Sequence, residues 1–84
     1  MADYRLAPGQ TEADVRSLLR DIARRLETNR PDAVFTAVGR ITIIQATTMS
    51  PPLARALRAK APEILASTTR AAYARQLREI AGQQ

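Results

Sequence analysis

The amino-acid sequence predicts a single small domain of the α+β class, covering residues 1–84. Three observations lead to this prediction. Apolar residues recur at helical spacing between Val15 and Leu26, residues 33–38 form a short β-branched run, and helical spacing returns after Ser50. A chain of this length buries only about 60–65% of its unfolded surface, and it contains no cysteine for a disulfide. We therefore expect a homodimer, in which a second copy completes the core.

The N-terminal third contains the clearest helical pattern. Residues 1–10 are expected to be an extended lead-in, with Tyr4 and Leu6 on one face if they form a strand. Thr11 then stands at a helix N-cap position, and Glu12 and Asp14 suit the positive end of the helix dipole. Turn-forming residues 29–32 are expected to end the helix. Its buried face is predicted to consist of Val15, Leu18, Leu19, Ile22, Ala23 and Leu26.

The middle of the chain allows two structures. Residues 33–38 are typical of a strand, and six of the eight residues 41–48 are β-branched, which favours a second strand. Gly39-Arg40 would then be the turn of a β-hairpin. However, Ile43, Ala46, Thr47 and Ser50 also fall at helical spacing, so residues 41–48 can equally follow the first strand as a helix.

The C-terminal part is predicted to be helical. Ser50 followed by Pro51 is a typical helix start, with the serine at the N-cap and the proline in the first turn. Pro62 is expected to kink this helix or to begin another. A helical stripe is then predicted within residues 63–81, formed by Leu65, Thr69, Ala72, Tyr73, Gln76, Leu77 and Ile80.

The residue types present do not favour enzyme chemistry. The chain has neither histidine nor cysteine, which removes the common general base, the thiolate nucleophile and the usual zinc ligands. Gly39 lies outside any phosphate-loop pattern, and no carboxylates cluster as a metal site requires. We predict no catalytic residues, no metal and no cofactor. No apolar run has membrane-spanning length, so we expect a cytoplasmic protein that does not enter a membrane.

The charge distribution predicts a polyanion-binding protein. Residues 1–39 contain six basic and six acidic residues, so the whole net charge of +5 lies from Arg40 onward. Few aromatic residues are available for stacking on bases. We therefore expect contacts with the phosphate backbone of DNA or RNA, with little sequence specificity. The candidate contact residues are Arg40, Arg55, Arg58, Lys60, Arg70, Arg75 and Arg78.

Part of the middle segment resembles a known family. Ala37-Val38-Gly39, followed after three residues by Ile43-x-Gln45-Ala46, resembles the signature of the stage V sporulation protein S family, whose members are relatives of the Alba chromatin proteins. Over residues 3–49 this resemblance implies an Alba-like βαβα core, a dimer, a helix at residues 41–48 and nucleic-acid binding at the strand-to-helix junction, where Arg40 lies. It would make the protein nucleoid-associated if the ligand is DNA. Beyond Ser50 the sequence departs from the family, which implies a helical C-terminal extension.

A second functional hypothesis is a protein–protein interaction or adaptor module of phage, regulatory or structural type. In this interpretation the C-terminal helical stripe packs against a partner helix, and the arginines meet an acidic protein surface. The predicted partner interface is formed by Leu65, Tyr73, Leu77 and Ile80.

Overall fold

The computed structural model describes residues 4–82, and this part of the chain is all-helical. Its four helices are α1 (Glu12–Thr28), α2 (Ala37–Thr47), α3 (Pro51–Lys60) and α4 (Arg70–Gly82). Within residues 4–82 there is no sheet, and β-type pairing is limited to one isolated bridge between Val34 and Thr69. The prediction of an α+β fold with an Alba-like βαβα core is therefore wrong. The alternative with a β-hairpin at Gly39-Arg40 is wrong as well, because both residues lie inside α2.

Helix α1 begins and ends where the sequence predicts. The backbone N–H of Asp14 donates to the Thr11 hydroxyl at 3.3 Å, and the N–H of Thr11 donates to the Asp14 carboxylate at 2.9 Å. This reciprocal pair satisfies two backbone donors that the first turn leaves without helical partners. The helix ends at Thr28, directly before the predicted stop.

Residues 4–7 are not a strand, since no neighbouring strand is available to pair with them. Tyr4 and Leu6 instead pack against the helical core. The Tyr4 hydroxyl donates to the Glu12 carboxylate, at 2.7 and 2.8 Å from its two oxygens. Desolvation and the neighbouring carboxylate together raise the pKa of Tyr4 to about 12. These contacts fix the N-terminal segment against the start of α1.

The core is centred on α1 and α4. The guanidinium of Arg70, at the start of α4, reaches the backbone of Asn29 at the end of α1, and Arg20 of α1 donates to the Ala81 carbonyl in the last turn of α4. The two helices therefore run antiparallel. Among the described residues the buried hydrophobic side chains are Val15, Leu19, Ile22, Ala23, Leu26, Phe35, Ile44, Ala56, Leu57, Ala61, Tyr73, Ala74, Leu77 and Ala81.

The predicted strand 33–38 does not form: residues 33–36 are irregular apart from the bridge at Val34, and α2 begins at Ala37 and extends through Thr47. The helix begins early because the Thr36 side chain caps it, accepting a hydrogen bond from the Gly39 N–H at 3.0 Å. Inside the helix the hydroxyls of Thr42 and Thr47 donate to carbonyls one turn earlier, at 2.9 and 2.6 Å. These bonds let β-branched threonines remain helical despite their β propensity.

A loop of residues 61–69 interrupts the helical stripe predicted for residues 63–81. Pro62 disfavours a helical conformation at the residue before it, so α3 ends at Lys60 and does not continue. Ser67 has a positive φ of 64°, which is incompatible with a continuous helix. Thr69 then caps α4, its hydroxyl accepting from the Ala72 N–H at 3.1 Å.

Helix α3 begins as predicted. Ser50 is its N-cap, Pro51 is its first residue, and the Ser50 hydroxyl also accepts a hydrogen bond from Gln10 at 2.9 Å. None of the helices within residues 4–82 has both the length and the apolar character needed to cross a membrane.

Candidate interaction surface

Arg40, predicted as a phosphate contact, is half-buried and bonds to other groups of the protein. Its guanidinium donates to the backbone carbonyls of Arg58 and Ala61 at 2.7 and 2.9 Å. These carbonyls lie at the C-terminal end of α3, where no following helical N–H is left to bond them. The Nε of Arg40 donates to the Tyr73 hydroxyl at 3.2 Å, and that hydroxyl donates to the Pro62 carbonyl at 2.6 Å. Burial raises the pKa of Tyr73. Arg40 thus joins the end of α3 to the core, and few of its donors remain for a ligand.

Arg78 is neutralised by an ion pair with α1. Its Nε and one terminal nitrogen donate to the two Glu27 carboxylate oxygens at 2.8 and 2.6 Å. This two-pronged hydrogen bonding lowers the pKa of Glu27 and raises that of Arg78. The positive charge of Arg78 is therefore balanced within the protein.

Lys60 and Arg70 also have partners in the fold. The Lys60 ammonium lies 3.6 Å from the Glu12 carboxylate, an exposed pair of small energetic value. The Nε of Arg70 donates to the Asn29 carbonyl at 2.8 Å, and its guanidinium lies 5.7 Å from the centre of the Phe35 ring. Arg70 keeps its other N–H donors, whereas much of the Lys60 charge is compensated.

Arg55, Arg58 and Arg75 remain exposed. Arg55 and Arg58 lie about one turn apart on α3, while Arg75 lies on α4, which makes little contact with α3. No side-chain hydrogen bond or ion pair joins Arg55 or Arg75 to another residue between 4 and 82. Of the seven predicted contact residues, four thus bind other groups of the protein and three are exposed arginines on α3 and α4. Nucleic-acid binding stays a prediction.

Two of the four predicted partner-interface residues are in the core. Tyr73 and Leu77 are fully buried, with the Tyr73 ring centre 5.0 Å from that of Phe35. They cannot meet a partner while this fold is intact. Ile80 is partly buried and packs against the same core, and only Leu65, 70% exposed in the loop before α4, presents an apolar side chain to solvent.

The exposed apolar surface lies on and around α2 instead. The large hydrophobic side chains exposed among the described residues are Val34, Val38, Ile41, Met49 and Leu65. All except Leu65 are on α2 or within three residues of its ends. Val38 is 73% exposed and Ile41 is 49% exposed; together with exposed Gln45 they define what we call the outer face of α2.

This face is unusual because it carries no charge. The sequence of α2 has one charged residue, Arg40, and that side chain is directed towards α3 and the core. Sequence reasoning missed the surface because it assigned Val38 to a strand and left residues 41–48 open between a hairpin strand and a helix. The available signal was the absence of a charged side along residues 37–47, which is atypical of a solvent-exposed helix.

No group of three or more histidine, cysteine, aspartate or glutamate side chains within residues 4–82 could hold a metal ion. In the comparisons with known proteins, no protein-family model, curated protein or solved structure matches the chain. The functional interpretation therefore depends on the surfaces themselves.

Proposed function

We propose that the chain is a protein-interaction module that self-associates through the outer face of α2. The observation that carries the proposal is the mismatch between the sequence of α2 and its burial. A helix without a charged side is normally covered on all sides, yet Ile44 is the one fully buried residue of α2. Val38 and Ile41 remain exposed in a single copy.

A second copy suits this face better than a charged partner does. The chain carries a net charge of +5, so most of its surface repels another copy. The outer face of α2 brings no charge into such a contact, and pairing two copies there removes apolar surface from water without burying an ion. Val34 and Met49, exposed just outside the two ends of α2, extend the apolar area.

The expected affinity is modest. Fully burying a valine or isoleucine side chain contributes about 1.5–3 kcal/mol, and Val38 and Ile41 are already partly covered. Association costs on the order of 4–15 kcal/mol in lost freedom of the two copies. We therefore expect a reversible dimer whose population depends on protein concentration.

The test is sedimentation equilibrium of the chain over a range of concentrations, at high salt to suppress repulsion. The wild-type protein is expected to dimerise, and Val38→Glu and Ile41→Glu are each expected to weaken dimerisation at least about tenfold, because they place a carboxylate in an apolar contact. Ser17→Glu, exposed on α1 and with the same change in charge, is expected to leave the dimer intact.

Three outcomes would contradict the proposal. A monomer at all concentrations would remove self-association altogether. Loss of the dimer in Leu65→Glu, with Ile41→Glu unaffected, would place the interface in the loop before α4. Tight binding of random duplex DNA, abolished by Arg55→Glu with Arg58→Glu, would instead make the protein a nucleic-acid binder whose affinity falls steeply with salt.

A further inference from the structure

A groove lies beside the outer face of α2, between this helix and the end of α1. It encloses about 430 Å³, within the range of ligand-binding clefts. Gly39, Ile43 and Ala46 contribute its α2 side, and Arg25 and Arg70 also line it. Val38 and Ile41 are not among the lining residues, so the groove adjoins the self-association face without including these two side chains.

The groove is cationic as well as partly apolar. Its lining contains two arginines and no carboxylate. Arg25 is exposed, and within the described chain its side chain makes no hydrogen bond or ion pair. It therefore presents its full set of N–H donors beside an apolar cleft.

Arg70 is held in a defined position at the same groove. One of its five N–H donors is bound to the Asn29 carbonyl, and its guanidinium lies against the Phe35 ring. The remaining donors are thus oriented before any ligand arrives, which reduces the entropy lost on binding. An arginine fork matches a carboxylate with two parallel hydrogen bonds.

We infer that this groove binds an acidic amphipathic helix of a partner protein. Apolar side chains of that helix enter the cleft, and its flanking carboxylates bind Arg25 and Arg70, as in other helix-in-groove complexes. Ala46 has a small side chain, so the partner helix can approach α2 closely there, whereas the Phe35 ring fills the space beside Gly39. A second copy of this chain matches the groove less well, because it brings a net charge of +5 to a lining that has two arginines and no carboxylate.

The experiment is a titration of the isotope-labelled full chain with a helical peptide of leucine and glutamate, followed by NMR. The control peptide has glutamine at every glutamate position. We expect saturable shifts of the Gly39, Thr42 and Ala46 amides with the glutamate peptide, and binding at least about tenfold weaker with the glutamine peptide. Arg25→Glu is expected to weaken binding at least about tenfold, and Arg25→Lys to retain part of it.

The matched control is Arg75→Glu, which changes the net charge equally on an exposed position of α4 outside the groove. It is expected to change the affinity less than about twofold if binding is local. Equal losses in Arg25→Glu and Arg75→Glu would overturn the inference, because net charge alone would then explain binding. Equal affinity for both peptides would overturn it too, and so would shifts confined to other helices.

Two further measurements distinguish this inference from nucleic-acid binding and from self-association. Displacement of the peptide by duplex DNA at lower concentration, with the same dependence on Arg25, would make nucleic acid the ligand and overturn the inference. Ile41→Glu is expected to weaken self-association and to leave peptide binding unchanged, since Ile41 does not line the groove. The failure of one proposal is therefore visible independently of the other.

Discussion

The α1–α4 pair and helix α2 differ in how their apolar residues are used. Five side chains of α1 and four of α4 are buried, against one of α2. In α1 the apolar residues form one stripe and the charged residues lie on the opposite side, so the rest of the same chain can cover the stripe completely. In α2 the apolar residues surround the helix, so the same core can cover one side only. The difference indicates that α1 and α4 hold the fold, whereas α2 supplies a binding surface.

The strongest test of this comparison replaces one apolar residue in each region by alanine. Leu77→Ala removes a fully buried side chain of α4 and is expected to lower the free energy of unfolding by about 2–5 kcal/mol. Ile41→Ala, on the outer face of α2, is expected to change it by less than about 0.5 kcal/mol in dilute monomer. Urea unfolding followed by circular dichroism measures both.

Similar losses of unfolding free energy in Leu77→Ala and Ile41→Ala would contradict the view that α1 and α4 hold the fold whereas α2 supplies a binding surface. A large loss in Ile41→Ala alone would mean that α2 is already covered in the dilute protein. Dimerisation can be excluded as the cause by repeating the measurement at a lower protein concentration.

The next prediction concerns the contacts that hold the end of α3 to the core. Arg40→Ala leaves the carbonyls of Arg58 and Ala61 and the Tyr73 hydroxyl without their donor, so it is expected to cost about 2–3 kcal/mol of unfolding free energy. Arg55→Ala, which removes an exposed arginine, is expected to change it by less than about 0.5 kcal/mol.

A third variant, Arg40→Lys, together with Arg40→Ala, shows whether Arg40 has a structural role or is available to bind a ligand. Arg40→Lys should recover little stability, because an ammonium group does not reproduce the fork that reaches two carbonyls and a hydroxyl. If Arg40→Ala unfolds at the wild-type urea concentration, the contacts of Arg40 are not structural and its guanidinium is available for a ligand.

The sequence predicts the helix starts that depend on local chemistry. The Thr11 N-cap and the Ser50-Pro51 start need only neighbouring residues, and both are confirmed. Helix α2 could not be assigned this way, because its β-branched residues favour a strand, whereas in the fold the Thr36 cap and the packing of Ile44 into the core favour a helix. Ser67 was missed because its left-handed backbone leaves no mark on the apolar periodicity.

The candidate site was less accessible from sequence than the helices. A charge count records Arg40 and Arg78 as free cations, whereas their partners come from residues 18 to 51 positions away in the chain. The burial of Tyr73 and Leu77 follows from the antiparallel packing of α1 and α4, which helical spacing does not specify. By contrast, the uncharged character of residues 37–47 is visible in the sequence once a helix is assumed there.

The smallest expected effect concerns the ion pair that links the outer surfaces of α1 and α4. Its Arg78 holds the folded-state pKa of Glu27 below the ordinary value of 4.5. A lowered folded-state pKa adds stability above the unfolded-state pKa, and this part is lost as the pH falls through the folded-state value. Glu27→Gln should therefore destabilise the protein slightly at pH 7, should have no such effect well below pH 4, and should flatten the acid side of the stability profile. Glu79→Gln, which removes an exposed carboxylate without an ion pair in the described chain, should keep the wild-type profile. Because the pair is exposed, high salt should reduce the difference in stability between Glu27→Gln and wild type. A difference that persists in high salt would mean that Glu27 stabilises the α1–α4 pair by something other than its charge.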